Sequence, residues 1–536
     1  MKAQLGIPIT RGKSTRKSDL YLLLSLSLLA VLALQACTIS APQPKVELRN
    51  PPLPLPVGVR VSPNSTQLQT TTWIQFNAIV SNTTNTSVNW EVNGVSGGDG
   101  TNGTITSLGR YFAPNTLPAN VSITVTAISN AEPSKSGTAN VTLFERHRIA
   151  VRTVNGVGEF YDVVAGTQFV PRGNNYVRLG PETRVDGSAT TYHTTFNVGA
   201  YDGARSEQAL AEMQAFGYNV TRVWMNGCCV NVSIGNTSGG LNPAYVANLA
   251  DFLSRAKSHG IQVILTADST PDFGTYAQLL DQYCCATFAN FNVHYLTRGG
   301  VQANQNFWRD LIQSLVSHNA PMDAVFAYQI REELSFDSNF PPFTLNTPVT
   351  TANGKEYDMS DPVARRQMMD DALVYWTDQV RSSIRAVDPS ALVTVGFFAA
   401  QGPNPYRIGD PRLINPYPAI ANSSADFVNL SAYPIAGELT MAQYAENFGF
   451  AGHLDKPVVL GEFGVLESQF TTKAQASSAL VDWQVQSCGV GINGWILWTW
   501  DLTDSEQTDG PFWWATAGDG SIANNLSPSV RPNPCQ

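Results

Sequence analysis

The sequence predicts an α/β chain, a (β/α)8 TIM barrel preceded by a small all-β sandwich. Three observations predict it. From residue 147 onward, short apolar runs alternate with helical stretches up to the C-terminal end. Between residues 57 and 146, apolar and polar residues instead alternate with period two, and Gly- and Asn-rich turns separate the runs. Two later apolar runs end in acid: Ala327 to Leu334, which contains Glu332 and Glu333, and Lys456 to Gly464, which contains Glu462. A carboxylate placed where a parallel strand stops lies on the C-terminal rim of a barrel, where barrel enzymes keep their chemistry. At 536 residues the chain is long enough for two or three domains.

Residues 1–37 read as an export signal. Lys2, Arg11, Lys13, Arg16 and Lys17 precede an apolar run from Tyr21 to Leu34, which is short for a membrane span. Leu34-Gln35-Ala36-Cys37 resembles the bacterial lipoprotein signal, cleaved before a cysteine that becomes lipidated. Cys37 is the expected lipidation site, with an ordinary signal peptide as the alternative. Residues 38–56 form a linker in which six prolines between Pro42 and Pro56 impose extended backbone. The expected location is the cell envelope or surface, held through the lipid alone, with a secreted form as alternative.

Residues 57–146 alternate most clearly in Trp73–Ile79 and Val121–Ala127. This stretch resembles the bacterial immunoglobulin-like modules, with Val59–Pro63 opening it and Val88–Val92 placing Trp90 in the core. No cysteine pair flanks Trp90, and no chemistry is visible, so a spacer is the expected role.

Residues 147–536 supply the barrel. A hairpin, Phe160–Asp162 and Gln168–Tyr176, leads in. Helices are expected at Ser206–Phe216, Pro243–His259, Gln305–His318 and Arg365–Val387. They lead to strands Val220–Trp224, Val263–Asp268, Ala327 onward and Leu392–Gly396. Phe427–Ser431, the run ending at Glu462, and Gly494–Trp498 complete eight. A doubly wound open sheet is the alternative, but no Gly-rich phosphate loop follows an early strand.

Composition narrows the function. Charged residues are 14%, against about 25% in an average soluble protein. Asn, Thr, Ser and Gly take their place, as in proteins that work outside the cytoplasm. The net charge of −9 and the lack of a basic stripe exclude a nucleic-acid partner. The 11 Trp and 18 Tyr serve core packing and would also serve a sugar-stacking surface.

Paired strand-end carboxylates point to glycoside hydrolysis, in which one carboxyl attacks the anomeric carbon and the other handles the leaving-group proton. Here the motifs become specific. Phe169–Tyr176, Asn219–Val223, Ala327–Leu334 and Lys456–Gly464 resemble strands one, two, four and seven of the retaining glycoside hydrolases of clan A, most closely the cellulase-like family 5, over roughly residues 150–510. The resemblance implies Glu462 as nucleophile and Glu333 as acid/base, with Arg222 and Tyr433 supporting Glu462 and Trp498 forming a platform under the sugar. Glu332, Trp224 and Asn175 complete the expected substrate-binding residues. It implies no cofactor and no metal, and a β-linked polysaccharide or oligosaccharide, as in cellulases and mannanases, as substrate. Three positions depart from the family pattern: Glu332 for an asparagine, Ser431 for a histidine and Asp268 for a frequent histidine. A silent glycan-binding barrel and an adhesion or scaffold lipoprotein are the competing readings.

Of the seven cysteines, six follow Cys37, an even count in an exported chain. Cys228, Cys229, Cys284 and Cys285 fall in loops after the second and third strands, where cross-pairing or, as runner-up, a metal site is expected. Cys488 and Cys535 are placed to tie the C-terminal tail to the last helix.

Overall fold

A closed ring of parallel strands occupies the C-terminal two-thirds of the computed structural model, which describes residues 54–177, 182–183, 189–190, 193–227, 231–271, 273–282, 286–398, 412–433, 439–465, 469–500, 516 and 521–536. The strands are β1 (Arg172–Tyr176), β2 (Val220–Met225), β3 (Gln262–Ala267), β4 (Val325–Gln329), β5, β6 (Val428–Ala432), β7 (Val458–Phe463) and β8 (Gly494–Trp500). β5 is split by Val395 into Val393–Thr394, which pairs with β4, and Gly396–Phe397, which pairs with β6. β8 pairs with β1 and closes the ring, so the chain contains a (β/α)8 barrel. Every residue of β2, β3, β4, β7 and β8 is buried, which is why these runs read as continuous apolar stretches without alternation.

The helices begin where side chains cap them. Asn242 caps Pro243–Ser258, and Asp361 caps Pro362–Val387, each with proline in the first turn. The helix expected from Gln305 starts at Arg298 instead, capped by Thr297. Gly299 and Gly300 lie buried inside this helix. A Cβ on Gly300 would sit 2.1 Å from the Val293 carbonyl oxygen, so close packing demands the glycine.

The lead-in hairpin is larger than expected. Ile149–Val154 adds a third antiparallel strand beside Val157–Asp162 and Gln168–Phe169. Its second half is exposed, which hid it among polar sequence. Phe160 reaches the N-terminal mouth of the barrel and meets the rings of Phe326 and Phe427 at 5.0 and 5.2 Å. Val220, Ile264, Leu392, Val459 and Ile496 join this cluster. An apolar plug therefore closes one end and leaves the chemistry to the other.

Residues 58–144 are all β, with a five-stranded sheet, a four-stranded sheet and the Gly58–Ser62/Asn77–Ser81 pair. Phe76, Trp90, Val92, Tyr111, Val125 and Val141 form its core. Polar contacts fix it to the barrel. Gln67 donates to the Gln313 carbonyl at 2.8 Å, and Gln69 donates to Asp388 at 2.9 Å.

A disulfide joins Cys488, at the end of helix Lys473–Cys488, to Cys535. Cys37, Cys228, Cys229, Cys284 and Cys285 lie outside the described residues. Among the described residues, no helix is long and apolar enough to cross a membrane.

Candidate active site

At the C-terminal rim, one side chain links four strands. Arg222 of β2 is 1% exposed. Its Nη1 donates to Glu462 Oε1 of β7 at 2.6 Å and to Asn175 Oδ1 of β1 at 3.1 Å. Its Nε donates to Gln329 Oε1 of β4 at 2.7 Å and to Thr266 Oγ1 of β3 at 3.1 Å. A guanidinium presents five donors in a fixed fork, and four barrel strands supply the acceptors. Asn429 of β6 donates to the same Gln329 oxygen at 2.9 Å, so the glutamine amide is itself held in orientation.

Glu462 therefore sits in a built cradle. Arg222 holds Oε1, and the Tyr433 hydroxyl donates to Oε2. Burial first, and then the Glu462 and Glu333 carboxyls, push the Tyr433 phenol well above its ordinary range, so the hydroxyl remains a donor. Glu462 lies inside β7, one residue before its end. A Cβ on Gly461 would stand 1.8 Å from Asn429 Oδ1, which explains the glycine within the strand.

Glu333 lies just past the end of β4 and has φ +34°, a left-handed conformation unusual for a residue with a side chain. Its neighbours pin the bend. The Glu332 N–H donates to the Ala267 carbonyl at 2.9 Å, Gly396 to the Arg331 carbonyl at 2.9 Å, and Leu334 to the Gly396 carbonyl at 2.8 Å. Carboxyl oxygens of Glu332, Glu333 and Glu462 come within 4.8 Å of one another. Among the described residues this is the group with ligand atoms close enough for a metal ion. Both Glu462 oxygens are already engaged by the donors Arg222 and Tyr433.

Glu332 is pushed up to about 7, by burial first and then by the Glu462 and Asp268 charges, while His193 and Arg222 pull the other way. Its carboxyl makes no hydrogen bond or ion pair with the described residues. Beside it, His193 Nδ1 lies 3.1 Å from Asp268 Oδ2, and Arg331 Nη1 lies 3.8 Å from Asp268 Oδ1. Burial alone would lower the imidazole and raise the carboxyl. Their mutual attraction outweighs it, so His193 is raised and Asp268 lowered.

The aromatic residues take different places. Trp498 packs edge-on against Trp224, with ring centroids 5.3 Å apart, and Tyr433 packs against the pair. Trp224 is fully buried, stacked between the Arg222 guanidinium at 4.1 Å and the His193 ring at 5.2 Å. Asn175 is fully buried too, and its amide donates to the Gly461, Ile496 and Leu497 carbonyls. Both residues thus contact Arg222. His193, Gln329, Asn429 and Thr266 belong to the site and escaped the sequence reading. Gln329 and Asn429 carried a signal, as polar residues inside apolar strands. His193 carried none, since its loop shares no pattern with Asp268.

No family model matches the chain, and neither does any curated protein. Among solved structures, the chain is similar to the hyperthermostable endo-1,4-β-D-mannanase of Thermotoga petrophila RKU-1, at 16% identity and TM-score 0.46, covering 68% of this chain and 100% of that one. It is similar to a glycoside hydrolase family 5 mannosidase from Rhizomucor miehei, at 14% identity and TM-score 0.46, covering 72% and 100%. It is also similar to an exo-β-1,4-mannosidase from Opitutaceae bacterium strain TAV5, at 16% identity and TM-score 0.43, covering 70% and 59%.

Proposed function

We propose that the barrel is a retaining β-glycosidase that hydrolyses a β-linked oligosaccharide or polysaccharide by double displacement. The observation that carries this reading is Glu462, held at both oxygens and within 4.8 Å of Glu333. Retaining enzymes place their carboxyls about 5–5.5 Å apart, whereas inverting enzymes leave about 6.5–9.5 Å for a water. The spacing supports the first.

In the first step a Glu462 oxygen attacks the anomeric carbon, the bond to the leaving oxygen breaks, and Glu333 gives that oxygen its proton. In the second, Glu333 takes a proton from water, the water oxygen bonds to the anomeric carbon, and Glu462 leaves. Arg222 and Tyr433 fix the nucleophile before the substrate arrives, so little reorganisation is needed during the reaction.

Steady-state kinetics on a panel of aryl β-glycosides tests the reading. Glu462→Ala is expected to lose activity by several orders of magnitude and to recover part of it with azide, which fits the emptied space. Glu333→Ala is expected to keep glycosylation of good leaving groups, which need no proton. Near-wild-type turnover by either folded variant on an unactivated substrate defeats the assignment. Absence of any turnover by the wild type favours the glycan-binding reading instead.

We further propose envelope anchoring through Cys37 and an immunoglobulin-like spacer role for residues 57–146. The leader pattern and the proline-rich linker support the anchor. Mass spectrometry of the envelope-extracted protein is expected to find a lipidated Cys37 as the first residue; an unmodified terminus elsewhere rejects it.

A further inference from the structure

We propose that the site is built for a sugar with a cationic nitrogen at C2, a 2-amino-2-deoxy-β-glycoside, and that Glu332 is its partner. The inference rests on the glycosidase reading above. With Glu462 at the anomeric carbon and Glu333 at the glycosidic oxygen, a third carboxyl within 4.8 Å of both faces the substituents beside that carbon. One neighbour is the ring oxygen, which has no hydrogen to donate. The other is C2.

His193, Arg222 and Arg331 act on Glu332 through their charge, but their hydrogen bonds and ion pairs among the described residues go to other groups. Arg222 is occupied by Glu462, Asn175, Gln329 and Thr266. Arg331 donates to the Tyr295 hydroxyl at 3.0 Å and faces Asp268, and His193 also faces Asp268. Glu333 and Glu462 bring carboxyls, and Tyr433 a hydroxyl committed to Glu462. Among the described residues, none pairs with the Glu332 carboxyl.

The residue type then decides. A neutral C2 hydroxyl is served at every pH by an amide, which offers a donor and an acceptor and never ionises. A carboxyl of similar reach differs from an amide chiefly in its ability to carry charge. An ammonium supplies three donors and the opposite charge, which offsets the burial that disfavours ionised Glu332. N-acetylation removes that charge, so the acetylated sugar is refused.

The full-length protein is assayed on 4-nitrophenyl β-D-glucosaminide, β-D-glucoside, β-D-mannoside and N-acetyl-β-D-glucosaminide, at a pH where the amine is protonated. The wild type is expected to prefer the glucosaminide by at least about tenfold in kcat/KM. Glu332→Gln and Glu332→Asn are expected to lower the glucosaminide-to-glucoside ratio by roughly 30-fold or more, as when a desolvated charge pair loses one partner. Calorimetry on Glu462→Gln, with a β-1,4-linked glucosamine tetramer against cellotetraose, reads the same preference without turnover. Preference for a neutral glycoside, or a ratio unmoved by both substitutions, overturns the amino-sugar assignment while leaving the glycosidase reading standing. Tighter binding of the amino tetramer without any hydrolysis supports the assignment and rejects the glycosidase reading. Equal binding of the tetramers without hydrolysis rejects both.

Discussion

Glu333 and Glu462 could be named from the sequence because each stands at the end of a strand-like run, and Arg222 and Tyr433 because they match motif positions of the family the chain resembles. Their number of partners could not. Arg222 reaches acceptors on β1, β3, β4 and β7, and only barrel closure brings those four together. Lysine at this place would keep the charge but lose the planar fork. Glu332 shows the residue scale most directly, since its pH behaviour follows from its surroundings. Its carboxyl is raised from the ordinary glutamate value to about 7, so between those limits the folded state holds a proton that the unfolded state releases. Its contribution to stability is complete at acid pH and is lost as pH rises through about 7. Glu332→Gln should therefore gain in melting temperature relative to the wild type as pH is raised from 5 to 8. Parallel melting curves across that range would show that Glu332 does not titrate there.

At the scale of elements, the plug hairpin decides which end of the barrel is open. Phe160 is 1% exposed and packs on Phe326 and Phe427 at the N-terminal mouth. Phe160→Ala removes a fully buried ring where the surrounding strands are hydrogen-bonded and cannot collapse. A loss of about 3–5 kcal/mol is expected by denaturant unfolding. A loss below about 1 kcal/mol would mean that the hairpin adds little to the barrel. The strands themselves were legible as apolar runs, and their limits agree to within a residue or two for β2, β3 and β6. The early start of helix Arg298–Ser317 and the strand Ile149–Val154 were not. Gly299–Gly300 resembles a turn until Val293 is packed against it, and an exposed strand has little apolar pattern to show.

At the scale of the molecule, a buried polar latch joins the N-terminal β unit to the barrel. His147 Nε2 lies 2.5 Å from Asp388 Oδ2, and its Nδ1 lies 2.7 Å from the Val325 carbonyl. Gln69 from the β unit donates to the other Asp388 oxygen at 2.9 Å, and the Tyr328 hydroxyl donates to Oδ2 at 2.9 Å. Both imidazole nitrogens face acceptors, the arrangement a protonated ring satisfies. Burial alone would lower His147, but the Asp388 carboxylate outweighs it and the imidazole is raised. The stabilisation is fully present below the ordinary histidine value of about 6.5 and is lost as pH rises through the elevated one. His147→Gln is expected to cost about 3–5 kcal/mol at pH 6 by leaving Asp388 buried without its cation. The substitution should also flatten the fall in wild-type stability between pH 6 and 9. An unchanged pH profile in the variant would assign that fall to other groups.

The sequence by itself determined the order of the barrel strands, the barrel class, the two strand-end glutamates Glu333 and Glu462, and the pairing of Cys488 with Cys535. Each of these is written locally, as an apolar run, a strand-end acid or a count of cysteines. Only the tertiary structure decided that Asn175 and Trp224 contact Arg222, that His193 joins Asp268, and that the Glu332 carboxyl lies beside those of Glu333 and Glu462. The reason is geometric. A parallel barrel brings side chains from distant strands into one ring, so a residue's partners are set by strand register and closure. Neighbouring sequence records neither.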